Sequence, residues 1–379
     1  MILDSSPILP IMTPVSRPQG THSFYPNVYN SRLIVPLERH MRRVALEFFL
    51  PLRQRISAYM GTLEAKTLKL RENRYLQETQ FMESLKTRIG DQTFKTAVSI
   101  GTPGPYSKNT ILFLNHQAEP CLLAKIANTQ GAKTLLSNEV QWLKHLSTRE
   151  NLRHSVPRFI ADLRSDGTYV LVQSICQGNW TGRTLSSAHI TFLATFQGMG
   201  EVSPKGCYTT STMRNCMNKR LNHIQHRITP EWFSRLTHGL RLVECELQSE
   251  RIIIVPAHRD FAPWNLKLHN NSVSAFDWEY ASDGYLPLYD IFHFLLMPIT
   301  LKHQIPFHRI PFLISQARNH GAFLGNADFK TCRADIQLLA YLLDVCLFYL
   351  ESNQGRHQGD FVVTTFGRYI DAFEQWRNS

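Results

Sequence analysis

The chain lacks an apolar stretch long enough to cross a bilayer: the run LLAYLLDVCLFYL is too short and is broken by Asp344. Its first residues, MILDSSPILPIMTP, carry no basic start and are interrupted by prolines, so no secretory leader is expected. Cysteine is sparse: there are seven, an odd number, with no CxxC spacing. That speaks against a disulfide framework or a zinc site and for a reducing compartment, so a cytoplasmic protein is expected. His303, His308, His320 and His357 show no metal-ligand spacing either. GxSxG, HExxH and the GxxxxGK phosphate loop are missing, which weakens hydrolase and P-loop readings. No internal repeat and no nucleic-acid motif or basic-aromatic repeat is present, so no nucleic-acid partner is expected. Acidic residues are outnumbered, giving a formal charge of +11, which favours anionic partners such as a nucleotide, a phosphorylated compound or a membrane surface. A chain of 379 residues with 43% hydrophobic content fits a globule of two packed lobes and an extension.

What is present centres on one stretch, HRDFAPWNLKLHNNSVSAFDWEYASDGYLPLYD, from His258 to Asp290. Phosphoryl transfer asks little covalent help of a protein and much positioning and charge neutralisation. Asp277 and Asn265 offer one anionic and one neutral oxygen, suited to a hard divalent cation, at the two ends of a hairpin predicted from LKLH, NN and SVSAF. Asp260 precedes Asn265 in the same loop, where it can face a nucleophilic hydroxyl and act through position more than basicity.

HRDxxxxN followed by an Asp at the end of a strand resembles the catalytic and metal loops of the protein-kinase-like superfamily. Ala262 stands where protein kinases have lysine, and Asp277-Trp278-Glu279 where they have DFG. Together with GYLPLYDIFHFL these make the chain similar to the small-molecule branch, the aminoglycoside phosphotransferase and choline kinase type. The resemblance implies an α+β, bilobal protein-kinase-like fold with a small antiparallel-sheet N-lobe (90–176), a mostly helical C-lobe (177–379) and an N-terminal arm and helical extension (1–89). It implies an ATP-dependent, Mg2+-requiring phosphotransferase acting on a hydroxyl of a small molecule or glycan. Asp260 is then the catalytic carboxylate, Asn265 and Asp277 the metal ligands, and Asp290 opens a helix and braces the catalytic loop. His258 is expected to buttress that loop. FAPWN with FDWEYA also resembles bacterial members associated with surface polysaccharide. Glu279 and Asp283 are open to two readings, contact with the acceptor or plain solvation.

The resemblance assigns further residues. Lys125, in the strand CLLAKIAN, would bind the nucleotide phosphates, and Glu139, in the helix LLSNEVQWLKHL, would position it. Strands around 94–100, 110–114 and 120–126 flank GTPGPYSKN, whose Gly101 and Gly104 would let the backbone approach the phosphates, although Pro103 and Pro105 lack the N–H groups such a loop uses. Gln173 to Ile175 would supply the adenine-binding linker. Residues 1–30, rich in proline, are expected to form an extended arm without regular pairing, and 63–88 a polar helix. Residues 37–50 read as a basic amphipathic helix, open to packing on the body or to peripheral contact with the inner membrane surface. A competing reading of the whole is a catalytically silent kinase-like scaffold that binds nucleotide, a partner protein or a membrane surface.

Overall fold

A computed structural model describes residues 22–25, 32–50, 94–165, 167–198, 208–248, 253–302, 309–321 and 333–377. The chain divides into two compact units, Met1–Leu136 with Phe159–Ile175, and Ser137–Arg158 with Cys176–Ser379. The expected helix at 63–88 and most of the proline-rich arm lie outside the described residues.

The first unit is built on an antiparallel sheet of seven strands. These are β1 (His22–Tyr25), β2 (Leu33–Pro36), β3 (Lys95–Ser99), β4 (Lys108–Leu114), β5 (Pro120–Ala127), β6 (Phe159–Ser165) and β7 (Thr168–Ser174), in the order β1-β2-β3-β4-β5-β7-β6. Alternation of side chains gives the sheet two apolar faces. Ile34, Val98, Ile111, Phe113, Ala124 and Val172 fill one, and Leu33, Val35, Ala97, Leu112 and Leu114 the other. Helix α1 (Arg39–Phe49) covers the second face with Met41, Ala45 and Leu46.

One expectation is corrected here: residues 22–25 of the arm are a strand, registered from His22 opposite Pro36 to Tyr25 opposite Leu33. Strand β2 in turn pairs with β3 through Leu33 opposite Ser99. The apolar face of α1 is used against the sheet and Arg42 is itself buried, which leaves Arg39 and Arg43 as its exposed cations. Helix α2 (Gln130–Ser147) follows, and the division between the units falls inside it.

The second unit is helical around α8 (Ala334–Ser352). Before it come α3 (Ser187–Gln197), α4 (Thr212–Ile224), α5 (Pro230–Leu247), α6 (Tyr289–Thr300) and α7 (Ile310–Gly321), and after it α9 (Phe361–Asp371). Helix α8 is apolar on every side because α4, α5, α6, α7 and α9 all pack on it. Two small sheets hold the functional loops. Strands β10 (Leu266–His269) and β11 (Ser272–Ala275) form the expected hairpin, joined on its other edge by β8 (Asn179–Trp180), and β9 (Val255–Ala257) pairs with β12 (Ser282–Tyr285). The hairpin closes because Asn270 and Asn271 take left-handed φ of 48° and 61°, as a two-residue turn between twisted strands requires. Among the described residues no helix is long and apolar enough to cross a membrane.

Candidate active site

Strand β9 delivers the chain to His258, whose side chain is fully buried. Its backbone N–H donates to Asp290 Oδ2 (2.8 Å), and the N–H of Arg259 donates to Asp290 Oδ1 (2.9 Å). Asp290 opens α6 and thereby grips two consecutive amides of the loop, the bracing expected of it. Burial pushes its carboxyl up, while the His258 charge and these two amides pull it down. The imidazole of His258 has both nitrogens engaged: Nε2 lies 3.2 Å from the Phe276 carbonyl, and Nδ1 accepts from the Asp260 N–H at 3.3 Å. Burial holds this ring below the ordinary histidine range, against Asp290, Asp260 and Asp277. With both nitrogens taken up inside the loop, the ring serves as a strut.

Arg259 turns the chain with φ of 67°, a left-handed conformation unusual for a residue with a side chain. Its guanidinium reaches inward to the Tyr280 carbonyl (3.2 Å) and to Asp344 Oδ2 (3.4 Å), over the ring of Tyr285. Asp344 on α8 is fully buried and also receives Arg220 Nη1 (2.6 Å) and the Tyr289 hydroxyl (2.7 Å). The turn that presents Asp260 is therefore tied to helices α4, α6 and α8.

Asp260 stands a quarter exposed, with its carboxylate held from two sides. Asn265 Nδ2 donates to its Oδ2 at 2.7 Å and to its backbone carbonyl at 3.0 Å, and His293 Nε2 meets Oδ1 at 3.1 Å. Both acceptors facing Asn265 are oxygens, so its NH2 must face them and its carbonyl oxygen is turned elsewhere. His293 Nδ1 in turn lies 3.5 Å from the Tyr341 hydroxyl.

The hairpin register carries Asn265 to Asp277: Leu266 faces Ala275, and the Phe276 N–H donates to the Asn265 carbonyl at 3.1 Å. Asp277 then takes φ of 70°, starting the turn Trp278–Tyr280. Carboxylate oxygens of Asp277, Glu279 and Glu139 lie within 4.8 Å of one another. Two devices bring Glu139 to this place. Asn138 Nδ2 donates to the carbonyls of Glu279 and Ala281, each at 2.9 Å, and Trp142 stacks on the buried Trp278 at 6.3 Å. Trp278 also donates Nε1–H to the Ala275 carbonyl at 3.0 Å, which explains a tryptophan in the middle of the Asp-Trp-Glu motif. Three carboxylates this close are an oxygen set that fits a hard divalent cation.

The remaining expected residues belong to the first unit. Lys125 is buried on β5, opposite Thr110 and Leu171. Gly101 donates its N–H to Asn109 Oδ1 at 3.2 Å, and the space of a Cβ there is filled by the Lys108 carbonyl, so this glycine lets the loop close on its own strand. Gly104 has open space around it and meets no such demand. Gln173 lies inside β7 with Leu123 and Phe159 facing it, while Ile175 follows the end of that strand. In the second unit, Asp283 is exposed and lines a groove with Asn138, Gln141 and Thr212.

The sequence reading missed His293, Asp344 and the carboxylate grouping of Glu139 with Glu279. Signals existed: His293 lies three residues after Asp290 on an otherwise apolar helix, and a lone Asp344 in LLAYLLDVCLFYL demands a buried partner.

Comparison with known proteins bears on this geometry. No curated protein matches the chain. Among solved structures, an amicoumacin kinase in complex with AMP-PNP and Ca2+ is similar at 14% identity and a TM-score of 0.52, covering 79% of this chain and 97% of that one. The GDP and kanamycin complex of APH(2")-IIIa is similar at 14% identity and a TM-score of 0.52, covering 79% and 99%. A thermostable mutant of the aminoglycoside phosphotransferase APH(4)-Ia, in a ternary complex with ADP and hygromycin B, is similar at 12% identity and a TM-score of 0.50, covering 79% and 99%. At these identities the likeness establishes the kinase-like fold. The model of the phosphotransferase enzyme family, APH, matches residues 106–310. That span is more than half of the chain and includes the Asp260, Asn265 and Asp277 loops, and the chain belongs to this phosphotransferase enzyme family.

Proposed function

We propose that the chain transfers the terminal phosphoryl group of ATP to a hydroxyl of a small molecule or glycan, with Asp260 as the catalytic carboxylate. The observation that carries this reading is the pairing of Asp260 with Asn265 at 2.7 Å, one hairpin away from the Asp277, Glu139 and Glu279 carboxylates. Asn265 and Asp277 would hold Mg2+, with Glu139 and Glu279 completing the anionic cradle. The chemistry the cation supplies when bound is neutralisation of phosphate charge.

Asp260 receives the acceptor hydroxyl as a hydrogen-bond donor and aligns its oxygen. As that oxygen bonds to the terminal phosphorus and the bond to the ADP oxygen breaks, the hydroxyl proton passes to the Asp260 carboxylate. The donors from Asn265 and His293 hold the carboxylate in place, so it contributes position before basicity. From the first unit, Lys125 supplies the cation for the nucleotide phosphates, the loop with Gly101 and Gly104 covers them, and the backbone from Gln173 to Ile175 receives the base.

Thermal shift tests the nucleotide side. Mg2+-ATP should raise the melting midpoint of the wild type, and Asp277→Asn and Lys125→Ala should lose most of that rise. ADP release stimulated by added alcohols should accompany it. A midpoint rise equal in all three proteins would overturn the assignment, and nucleotide binding with no acceptor-stimulated turnover would support the silent-scaffold reading.

A further inference from the structure

A cavity of about 390 Å3 opens beside Asp260 within the second unit, and its walls carry information about the acceptor. Four lining residues have ionisable or charged side chains, and each already has a task. Arg259 is held by Tyr280 and Asp344, Asp260 by Asn265 and His293, and Glu279 sits with Asp277 and Glu139. The fourth, His293, faces Asp260. Among the described lining residues no further carboxylate is present.

The rest of the wall is largely apolar or aromatic, with Trp264, Met297, Leu301, Val345, Phe348 and Tyr349. The aromatic side is rigid. Phe348 meets Tyr280 edge to face at 5.3 Å and Tyr349 at 5.6 Å, and Arg220 lies over the Phe348 ring at 5.3 Å, so these rings hold one another in place. Among the lining residues, Trp264 and Leu301 are 38% and 51% exposed, apolar surface that a bound apolar body would take out of water. A cavity of this size falls near the lower end of the range of about 300–1,000 Å3 for small-molecule sites.

We infer that the acceptor is a compact alcohol or glycoside with an apolar or aromatic body, its reacting hydroxyl directed at Asp260, and not a polycationic aminosugar. The inference rests on the phosphotransfer reading and refines it. A polycation needs a carboxylate or comparable acceptor for each ammonium group that leaves water. This cavity offers Asp260, which must meet the hydroxyl, and Glu279, which faces the cation cradle. An aryl or alkyl body gains contact with the Phe348 and Tyr349 wall and removes Trp264 and Leu301 from water.

The experiment uses the full-length protein with Mg2+-ADP for saturation-transfer NMR and with Mg2+-ATP for ADP release, on phenyl β-D-glucoside, octyl β-D-glucoside, 2-phenylethanol, glucose, choline and kanamycin. Binding of the aryl and alkyl probes at least tenfold tighter than glucose is expected, with kanamycin unable to displace them. Leu301→Asp, at an exposed lining residue, should weaken the aryl and alkyl probes about tenfold while leaving the melting midpoint and the Mg2+-ATP thermal shift as in wild type. Tighter binding or faster turnover of kanamycin or choline would overturn the inference, as would aryl and alkyl binding unchanged by Leu301→Asp. Failure of every aryl and alkyl probe alongside a normal Mg2+-ATP shift would remove the inference and leave the phosphotransfer reading standing. Loss of the nucleotide shift itself would remove both.

Discussion

Replacing Asp344 with asparagine should be among the most costly single changes in the second unit, although this residue lies 85 positions from the arginine it anchors. Its carboxylate is fully buried and meets Arg220 at 2.6 Å, the Tyr289 hydroxyl at 2.7 Å and Arg259 at 3.4 Å. At an effective dielectric of about 20 the Arg220 contact alone amounts to roughly 6 kcal/mol before desolvation. Taking these groups out of water offsets much of that, but the desolvation is not recovered when one partner is removed, and losses of about 3–5 kcal/mol are typical. The substituted carboxamide would keep the shape, remove the buried carboxylate that Arg259 reaches and leave Arg220 with Glu351 alone, at 3.4 Å. A loss of that size corresponds to a fall in melting midpoint on the order of 10 °C for a unit of this length. The left-handed turn at Arg259 would also lose its anchor, so turnover should fall along with stability. Urea unfolding followed by tryptophan fluorescence, which reports on the buried Trp278, measures the cost. A cycle with Arg220→Met provides the internal control, because the double variant should be less destabilised than the sum of the singles by at least about 1 kcal/mol. A change in Asp344→Asn of less than about 0.5 kcal/mol, or strict additivity, would show that Asp344 is no such anchor.

Three further outcomes follow from the same geometry. His293→Leu removes a donor from Asp260 Oδ1 and should lower kcat about ten- to a hundredfold while the Mg2+-ATP thermal shift is kept; loss of both together would mean a structural role only. Asn265→Asp puts a second carboxylate 2.7 Å from that of Asp260 and should reduce activity more than Asn265→Ser, which ADP release at saturating Mg2+ would rank. Burial holds His189 down to about 4, so between about pH 6.5 and pH 4 the unfolded chain takes up a proton that the folded chain does not. Stability from this residue is complete above that window and falls as pH drops through it, by up to about 3 kcal/mol, and His189→Gln should flatten the dependence of melting midpoint on pH there.

How much of this was legible in the chain depends on how local each cause is. The hairpin was readable because Asn270-Asn271 between alternating strands has one economical conformation, and its register then places Asn265 near Asp277 without further information. The Asp290 brace was legible only through the resemblance carried by GYLPLYDIFHFL, since the amides it grips lie about thirty residues upstream. The strand Leu33–Pro36 was not, because its partner β3 begins far downstream at Lys95 and nothing near Leu33 announces it. Arg259 has no local signal for the same reason, since its partner Asp344 lies on a distant helix. Glu139 could be assigned to a helix from LLSNEVQWLKHL, but its company depends on the Trp142–Trp278 stack and the Asn138 clip, two tertiary contacts that no spacing encodes. Residues 37–50 had the pattern of a membrane-binding helix and also that of a packed one; three-dimensional packing assigns the apolar face to the sheet.

That Asp260 presents a hydroxyl to the terminal phosphate of a nucleotide is tested most directly by following ADP formation from Mg2+-ATP, with the fastest acceptor from a broad hydroxyl panel, in wild type and Asp260→Asn. The asparagine keeps the shape but cannot take the proton. Turnover should be lower by about a hundred- to ten-thousandfold in Asp260→Asn, with an unchanged Mg2+-ATP thermal shift. Equal turnover in the two proteins would contradict the role given to Asp260.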